Sequence, residues 1–305
     1  MTAGRNPIEN PAVRSRLAVW IDAARPRTLT MAMAPVFVGG CFASAFGGGV
    51  NVLALAVAAL SAVCIQVATN LFNDAGDFER GGDGPDRLGP PRAAASGLLT
   101  PGQIKRAAFG FFAVAALGGL YLIAIGGWPI LCLGVLSLLS GWAYASGPAP
   151  ISYSPLGEIF VIAFFGLGAV GGTFWLCAHA LAPEPLLAGL ALGLFAAGVL
   201  MVNNFRDAEA DARVGRRTLA IVAGPRAARA LFAAMMAAPF LLLGAMIALA
   251  PQRALWLAFG AAPLAWAQVK RLYAAPPGPQ LNAVLARTAQ TQALFAFLLG
   301  LGALA

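Results

Sequence analysis

The chain alternates long apolar stretches with shorter polar segments. Nine stretches are long enough to cross a membrane as helices: residues 28–46, 50–71, 107–125, 128–145, 159–180, 184–204, 230–250, 252–270 and 287–305. A helical span needs about 20 mostly apolar residues, and helices satisfy their own backbone hydrogen bonds in lipid. The pattern therefore predicts an all-α, polytopic membrane protein with about nine transmembrane helices in a bundle.

The predicted spans form a single transmembrane domain, residues 28–305, which follows a polar cytoplasmic arm at residues 1–27. Within the domain, a first half covers about 28–145, a second half about 159–270, and a final helix about 287–305. The overall composition agrees, because 60% of residues are hydrophobic, 10% are charged and the mean hydropathy is +0.79. These values lie far from those of soluble domains.

The basic residues lie almost entirely on one side of the predicted bundle. Of the 20 Lys and Arg residues, 19 fall in the N-terminal arm or in even-numbered connections between spans, and Arg253 alone falls in an odd-numbered one. The positive-inside rule then places the N-terminus and the even-numbered connections in the cytoplasm. The net charge of +8 reflects this topology, so we predict no nucleic-acid partner.

Two acidic motifs end the second and sixth predicted spans. They are Asn70-Leu-Phe-Asn-Asp74-Ala-Gly-Asp77 and Asn203-Asn-Phe-Arg-Asp207-Ala-Glu-Ala-Asp211. The two Asn-x-x-x-Asp cores lie 133 residues apart, on helices that run in the same direction. This indicates a parallel internal duplication of a four-helix unit. Eight of the 12 acidic residues belong to these regions: Asp74, Asp77, Glu79, Asp83, Asp86, Asp207, Glu209 and Asp211.

Each motif places its polar side chains on one helix face, because their spacings are i, i+4, i+7 and i, i+4, i+8. Two such faces opposite each other would make an all-oxygen pocket. Carboxylate and amide oxygens suit Mg²⁺, and the absence of His and Cys from both motifs argues against zinc. The candidate metal ligands are Asn70, Asp74, Asp77, Asn203, Asp207 and Asp211, and the four aspartates are also the candidate catalytic residues.

Arginines alternate with these acids and predict an anionic substrate. Guanidinium groups together with Mg²⁺ suit a diphosphate, and an apolar bundle suits a long hydrocarbon tail, so the predicted substrate is a polyprenyl diphosphate. Metal and arginine would stabilise the leaving diphosphate as an allylic carbocation forms. The candidate diphosphate-binding arginines are Arg80, Arg87, Arg92, Arg206, Arg213, Arg216 and Arg217.

Aromatic side chains are candidates to stabilise the carbocation through cation–π contact, with core packing as the alternative role for each. They are Phe72, Trp142, Tyr144, Phe164 and Phe165. A transporter is a more distant alternative, because transporters place functional carboxylates near the middle of the membrane and these acids lie at span ends.

These motifs resemble the UbiA-type intramembrane aromatic prenyltransferases, and within them the branch that acts on 1,4-dihydroxy-2-naphthoate in menaquinone synthesis. The first motif continues into Gly-x-Asp-x-Pro-Asp-Arg-x-Gly-Pro-x-Arg at 81–92, and the second into Gly215-x-x-Thr-Leu-Ala220. Ala24-Arg-Pro-Arg-Thr-Leu29 and Ile151-Ser-Tyr153 with Gly157-Glu158 share the likeness. Two departures are Arg216 and Arg27, which stand where the branch commonly has Lys.

The resemblance implies a Mg²⁺-dependent reaction in which the six motif residues hold the metal and the metal binds the diphosphate. The naphthoate ring attacks the allylic cation, loses its carboxylate and gives demethylmenaquinol. The other aromatic acceptors that stay open are 4-hydroxybenzoate and homogentisate. The implied partners are polyprenyl diphosphate, the naphthoate and a lipid bilayer, and the implied location is the bacterial cytoplasmic (inner) membrane.

The resemblance also suggests substrate contacts outside the two motifs, at Tyr144, Tyr153 and Arg25. Arg25 and Arg27 would orient the naphthoate carboxylate, or would anchor the first span at the membrane interface. The residue that deprotonates the ring hydroxyl stays open: Asp77 and Asp86 are candidates, with metal binding or arginine pairing as their alternative roles.

Overall fold

A computed structural model gives the architecture. It describes residues 15–46, 49–83, 88–89 and 92–305. The predictions for Asp86 and Arg87 lie outside these residues, as does the side chain of Arg27. The helices are α1 (Arg16–Ala24), α2 (Thr30–Ala45), α3 (Val52–Glu79), α4 (Pro101–Gly126), α5 (Trp128–Ala145), α6 (Gly157–Ala178), α7 (Pro183–Arg206), α8 (Ala208–Arg213), α9 (Leu219–Leu249), α10 (Ala262–Ala274) and α11 (Leu281–Leu304).

The predicted all-α membrane bundle is confirmed. Within the described part of the chain, seven helices are long and apolar enough to cross a membrane: α3, α4, α5, α6, α7, α9 and α11. The two remaining predicted spans correspond to the shorter α2 and to a 3₁₀ segment, Leu255–Ala261, that leads directly into α10. Each of the nine apolar stretches therefore has a helical counterpart, and the protein is a multi-pass membrane protein.

Helix α3 extends two turns beyond the predicted end of its span. The apolar pattern stops near residue 71, but the helix continues to Glu79 through the whole first motif. Asn70, Asp74 and Asp77 are all buried there, because other parts of the chain supply their hydrogen-bond partners. The helix ends where Gly81 adopts a left-handed backbone with φ 72°, as expected for the glycine-rich segment that follows.

The helices pack around two main cores. One joins α1, α3, α4 and residues 93–99, and includes Leu71, Phe72 and Ile104. The larger one joins α2, α6, α7, α9, α10 and α11, and includes Phe195 and Phe295. Helix α7 is central, because 72% of its 18-residue apolar stretch is buried inside the protein. Helix α5 is peripheral, with 11% of the corresponding stretch buried. Apolar side chains such as Leu117 and Leu241 point outward, as expected for a surface in contact with lipid.

Helix α6 approaches α7 closely through glycines. A Cβ atom on Gly166 would lie 2.8 Å from the Gly193 Cα atom and would also overlap the backbone of Gly189. Small residues allow this approach in membrane helix pairs. The middle of α6, Ile162–Gly168, has π-helical hydrogen bonding. Within this segment the consecutive residues Phe164 and Phe165 both face the interior of the bundle.

Candidate active site

A cavity of about 1080 Å³ lies inside the bundle. We call its charged part the polar end, lined by Asn70, Asn73, Asp74, Arg92, Asn203, Asn204, Arg206 and Arg216. We call the remainder the apolar body, lined by residues that include Ala58, Ile65, Leu122, Ile130, Leu138, Phe164, Phe165 and Leu176. The α3 residues that line it run from Ala58 to Asp74, about 24 Å along the helix axis. Such a cavity suits a molecule with an anionic head and a long hydrocarbon tail.

Asp74 faces the polar end and also holds the segment after α3 in place. Its two carboxylate oxygens accept hydrogen bonds from the backbone N–H groups of Ala93 and Ala94, each at 3.1 Å. The side chain is 2% exposed. Each carboxylate oxygen has a second lone pair, so these bonds leave room for a further ligand.

A network of charged side chains joins the two motifs. Asp77 accepts hydrogen bonds from Arg92 on one carboxylate oxygen and from Arg216 on the other. Arg216 also pairs with Asp211, with 3.2 Å between the Arg216 Nη1 and Asp211 Oδ1 atoms. Arg92 contacts Asp83 at 3.3 Å. The motifs, far apart in sequence, are therefore connected through one guanidinium.

Charge and burial shift the pKa values of two groups that follow α7, Asp211 and Arg216. Burial raises the pKa of Asp211 to about 6, with Arg216 opposing the shift and the acids Asp207 and Asp77 adding to it. Burial lowers the pKa of Arg216, but the neighbouring Asp77 and Asp211 carboxylates raise it overall. The Asp211 Oδ2 atom is buried without a hydrogen-bond partner. The positive charge of Arg216 is thus too small to offset the effect of burial on the pKa of Asp211.

The second motif is held together by Arg206. Its guanidinium donates to the Asn203 Oδ1 atom at 2.9 Å and to both carboxylate oxygens of Asp207. It also donates to the Asn282 Oδ1 atom at 2.6 Å, and the Asn282 amide donates to the Leu88 carbonyl at 3.1 Å. Asn282 thus links the last span to both halves of the site.

Sequence reasoning did not identify Asn282 as a site residue. It belongs to no repeated motif, and it precedes the predicted final span, 287–305, so the apolar pattern does not mark it. Because its partners lie 76 and 194 positions away, its role depends on how the helices are arranged.

The first motif also contacts the segment between α1 and α2. The Asn70 amide donates to the Ala24 carbonyl at 3.0 Å and to the Thr28 hydroxyl at 3.3 Å. Between these partners, Arg25 adopts a left-handed backbone with φ 54°, uncommon for a residue other than glycine. Arg25 and Thr28 both line the cavity near Asn70. The structure therefore places Arg25 beside the candidate diphosphate site.

Several of the candidate residues lie outside the cavity wall. Arg80 donates to the carbonyls of Ala145 and Gly147 at 3.1 and 2.9 Å, and so connects the end of α3 to the segment after α5. The Tyr153 ring lies 4.5 Å from the Arg216 guanidinium carbon, a cation–π contact that supports Arg216. Arg213 and Arg217 are exposed to solvent. Tyr144, in contrast, lines the cavity.

The oxygen atoms of the polar end and of the adjacent Asp77, Asp207 and Asp211 suit Mg²⁺, but several of them are bonded to arginines. Among the described residues, no three His, Cys, Asp or Glu side chains are grouped so that they could hold a metal ion. Arginines hold Asp77 and Asp207, whereas one oxygen each of Asn73 and Asp211 is buried without a partner. Hard oxygen donors with unused lone pairs are the ligands that Mg²⁺ prefers.

Comparisons with known proteins agree with this geometry. A sequence model of the UbiA prenyltransferase family matches residues 32–303. The chain is 36% identical over 242 residues to 1,4-dihydroxy-2-naphthoate octaprenyltransferase of Escherichia coli, covering 77% of this chain and 76% of the relative. It is 34% identical to the protein of the same name from Mycobacterium tuberculosis, covering 94% and 97%.

Solved structures have the same fold at low sequence identity. A UbiA homolog from Archaeoglobus fulgidus bound to DMAPP and Mg²⁺ superposes with a TM-score of 0.63 at 16% identity, covering 94% of this chain and 99% of the homolog. The apo structure of a UbiA homolog from Aeropyrum pernix superposes with a TM-score of 0.68 at 16% identity, covering 91% and 97%.

Proposed function

The chain belongs to the UbiA prenyltransferase family, and we propose that it transfers a polyprenyl group from polyprenyl diphosphate to 1,4-dihydroxy-2-naphthoate, with loss of the carboxylate. The product is a demethylmenaquinol. The acceptor is inferred from the names of relatives that match this chain over most of its length at 32–36% identity.

The observation that carries the proposal is the cavity whose polar end is lined by residues of both acidic motifs. Arg92, Arg206 and Arg216 lie there beside Asn70, Asp74 and Asn203, and the apolar body continues from them into the bundle. A diphosphate would lie at the polar end, and its prenyl tail would lie against the apolar wall. This orientation places the allylic carbon at the junction of the two parts.

The residues suited to hold Mg²⁺ are Asn70, Asp74 and Asp77 on α3, with Asn203, Asp207 and Asp211 on and after α7. When bound, the metal supplies positive charge that stabilises the leaving diphosphate. Arg92 and Arg216 would exchange their bonds to Asp77 for bonds to phosphate oxygens, which charge-assisted hydrogen bonds favour. The carboxylates released in this exchange would then be available to the metal.

Breaking the allylic C–O bond leaves a carbocation that must be kept from water until the acceptor attacks. Tyr144, Phe164 and Phe165 line the cavity beyond the polar end. Their π faces favour a nearby cation and offer it no nucleophile as reactive as water. The electron-rich naphthoate ring is then the group that forms the new C–C bond.

The charge distribution supports an orientation in the membrane. Both motifs and nearly all basic residues belong to one end of the bundle, whereas Arg253 lies at the other. By the positive-inside rule, the N-terminus and the polar end face the cytoplasm. The bacterial origin of the matching naphthoate octaprenyltransferases supports the bacterial cytoplasmic (inner) membrane as the location.

A competition assay tests the proposal. The purified protein in lipid nanodiscs would receive Mg²⁺, a short polyprenyl diphosphate and equal amounts of 1,4-dihydroxy-2-naphthoate and 4-hydroxybenzoate, with products identified by mass spectrometry. The expected product is a decarboxylated prenyl naphthoquinol, formed by the wild type and lost in Asp74→Ala and Asp207→Ala.

The matched control is Glu79→Gln, which removes an exposed carboxylate paired with Lys105 outside the cavity and leaves the rate unchanged. Prenylated hydroxybenzoate as the main product would overturn the acceptor assignment. Absence of any prenylated product and of any diphosphate release would overturn prenyl transfer itself.

A further inference from the structure

A buried carboxylate lies beside the cavity but outside both acidic motifs. Glu158, in the first turn of α6, is 2% exposed. Its Oε1 atom accepts a hydrogen bond from the Asn204 amide at 3.0 Å, and its Oε2 atom is buried without a partner. Burying a carboxylate with one oxygen unsatisfied costs free energy, so such a group calls for a functional explanation.

A second polar group, the Tyr144 hydroxyl, lies beside the first turn of α6. That hydroxyl packs against Gly157, where an added Cβ atom would lie 3.8 Å from it. Tyr144 and Asn204 both line the cavity, whereas Glu158 lies behind them. Tyr144, Glu158 and Asn204 come from the ends of α5, α6 and α7 that meet at the polar end of the cavity.

The charges around Tyr144 favour Glu158 as its partner. The charged side chains near the hydroxyl are Glu158, Arg216, Asp77 and Arg25. Asp77 is already held by Arg92 and Arg216. The unsatisfied oxygen of Glu158 is therefore the acceptor that remains on this side of the cavity among these groups.

The proposed reaction needs a group that holds a proton for a short time. When the ring carbon that carries the carboxylate bonds to the allylic carbon, the neighbouring ring hydroxyl loses its proton and its oxygen becomes a carbonyl. Loss of CO₂ then returns an electron pair to the ring, and the oxygen takes a proton back. No proton is gained or lost overall, so one residue can take the proton and return it.

We propose that Glu158 is this proton store and that it acts through Tyr144. The Tyr144 hydroxyl accepts the proton of the ring hydroxyl while it donates its own to the Glu158 carboxylate, and the transfer reverses after CO₂ leaves. Asn204 holds the Glu158 carboxylate in position. Glu158 does not contact the substrate in this scheme; it acts through Tyr144 and is in that sense a positioning residue. The inference rests on the proposed function.

The test compares two reactions of one protein in nanodiscs. The first is Mg²⁺-dependent release of diphosphate from geranyl diphosphate without an acceptor, and the second is transfer to 1,4-dihydroxy-2-naphthoate. Glu158→Gln should lower kcat for transfer at least about 100-fold at neutral pH, since general acid–base steps contribute this much. Diphosphate release and the KM for geranyl diphosphate should stay within a few-fold of the wild type.

The pH dependence separates a proton role from a structural one. Transfer by Glu158→Gln should rise with pH, because the naphthoate hydroxyl then ionises without help, whereas Glu158→Asp should recover part of the neutral-pH rate. Tyr144→Phe should show the same rise. If the glutamine variant does not fold, the aspartate and phenylalanine variants carry the test.

Wild-type kinetics and pH profile in Glu158→Gln, or equal loss of both reactions in well-folded Glu158 variants, would overturn the inference. If the wild type releases diphosphate but does not prenylate the naphthoate, the proposed acceptor fails instead, and the two failures are distinguished.

Discussion

Arg216 donates a hydrogen bond to Asp77, a residue 139 positions earlier in the chain and in the other motif. The same guanidinium pairs with Asp211 at 3.2 Å. The arginine therefore places positive charge beside two buried carboxylates. The proposed function implies that Mg²⁺ takes the place of the Arg216 guanidinium beside these carboxylates when substrate binds. Arg216 would then bond to phosphate instead.

Removing the Arg216 side chain should destabilise the ligand-free protein. Arg216→Ala leaves Asp77 with Arg92 alone and leaves Asp211 without its ion pair, and breaking a buried pair costs about 3–5 kcal/mol. The melting temperature in detergent should fall, and Mg²⁺ should raise it more in the variant than in the wild type. Arg217→Ala, which removes an exposed neighbouring arginine, is the control and should leave the melting temperature unchanged.

Asp211 should lower stability at neutral pH. Burial raises its pKa from 3.8 to about 6, so the folded state binds this proton more tightly than the unfolded state. The cost is absent below about pH 4 and complete above about pH 6, where it reaches at most about 3 kcal/mol. Asp211→Asn should therefore stabilise the metal-free protein at pH 7.5, give no gain at pH 4, and abolish prenyl transfer. A loss of stability at pH 7.5 would contradict this account.

Asp74 should control the order of the segment that follows α3. Its two bonds to the Ala93 and Ala94 amides are lost in Asp74→Ala, and one acceptor oxygen remains in Asp74→Asn. Backbone amides of residues 93–99 should exchange with deuterium fastest in the alanine variant and at an intermediate rate in the asparagine variant. Equal exchange in all three proteins would show that other contacts hold this segment.

The close approach of α6 and α7 should tolerate no side chain at Gly166. In Gly166→Ala the new methyl group would meet the Gly193 backbone, and overpacking of this kind costs about 1–3 kcal/mol. The expected result is a lower melting temperature with altered packing of the neighbouring Phe164 and Phe165. Gly110→Ala is the matched control, since a Cβ atom there has open space in α4 and alanine favours a helix.

Asn282 should contribute to binding of the prenyl diphosphate. Asn282→Ala removes the contact that holds Arg206 toward α11 and the bond to the Leu88 carbonyl. The KM for polyprenyl diphosphate should rise several-fold with a smaller change in kcat, measured by steady-state product formation. Asn282→Asp keeps the pairing with Arg206 but loses the bond to the Leu88 carbonyl, so KM should rise less than in the alanine variant; an equal rise would contradict the role of the Arg206 contact.

The sequence by itself determined the membrane bundle and the family. Span length and hydropathy are properties of consecutive residues, so the all-α architecture follows from the apolar pattern without any long-range contact. The two Asn-x-x-x-Asp motifs and the uneven distribution of arginines are also local, and they predicted a metal and diphosphate site at one end of the bundle.

Only the tertiary structure decided which polar groups meet. It placed Arg92, Arg206 and Arg216 on the cavity wall and left Arg213 and Arg217 in solvent, although all five are similar in sequence context. The pairs Arg216–Asp77, Arg206–Asn282 and Asn204–Glu158 join residues 46 to 139 positions apart. Hydrogen bonds are short-range and directional, so these partners depend on how the helices pack, and neither composition nor periodicity records that.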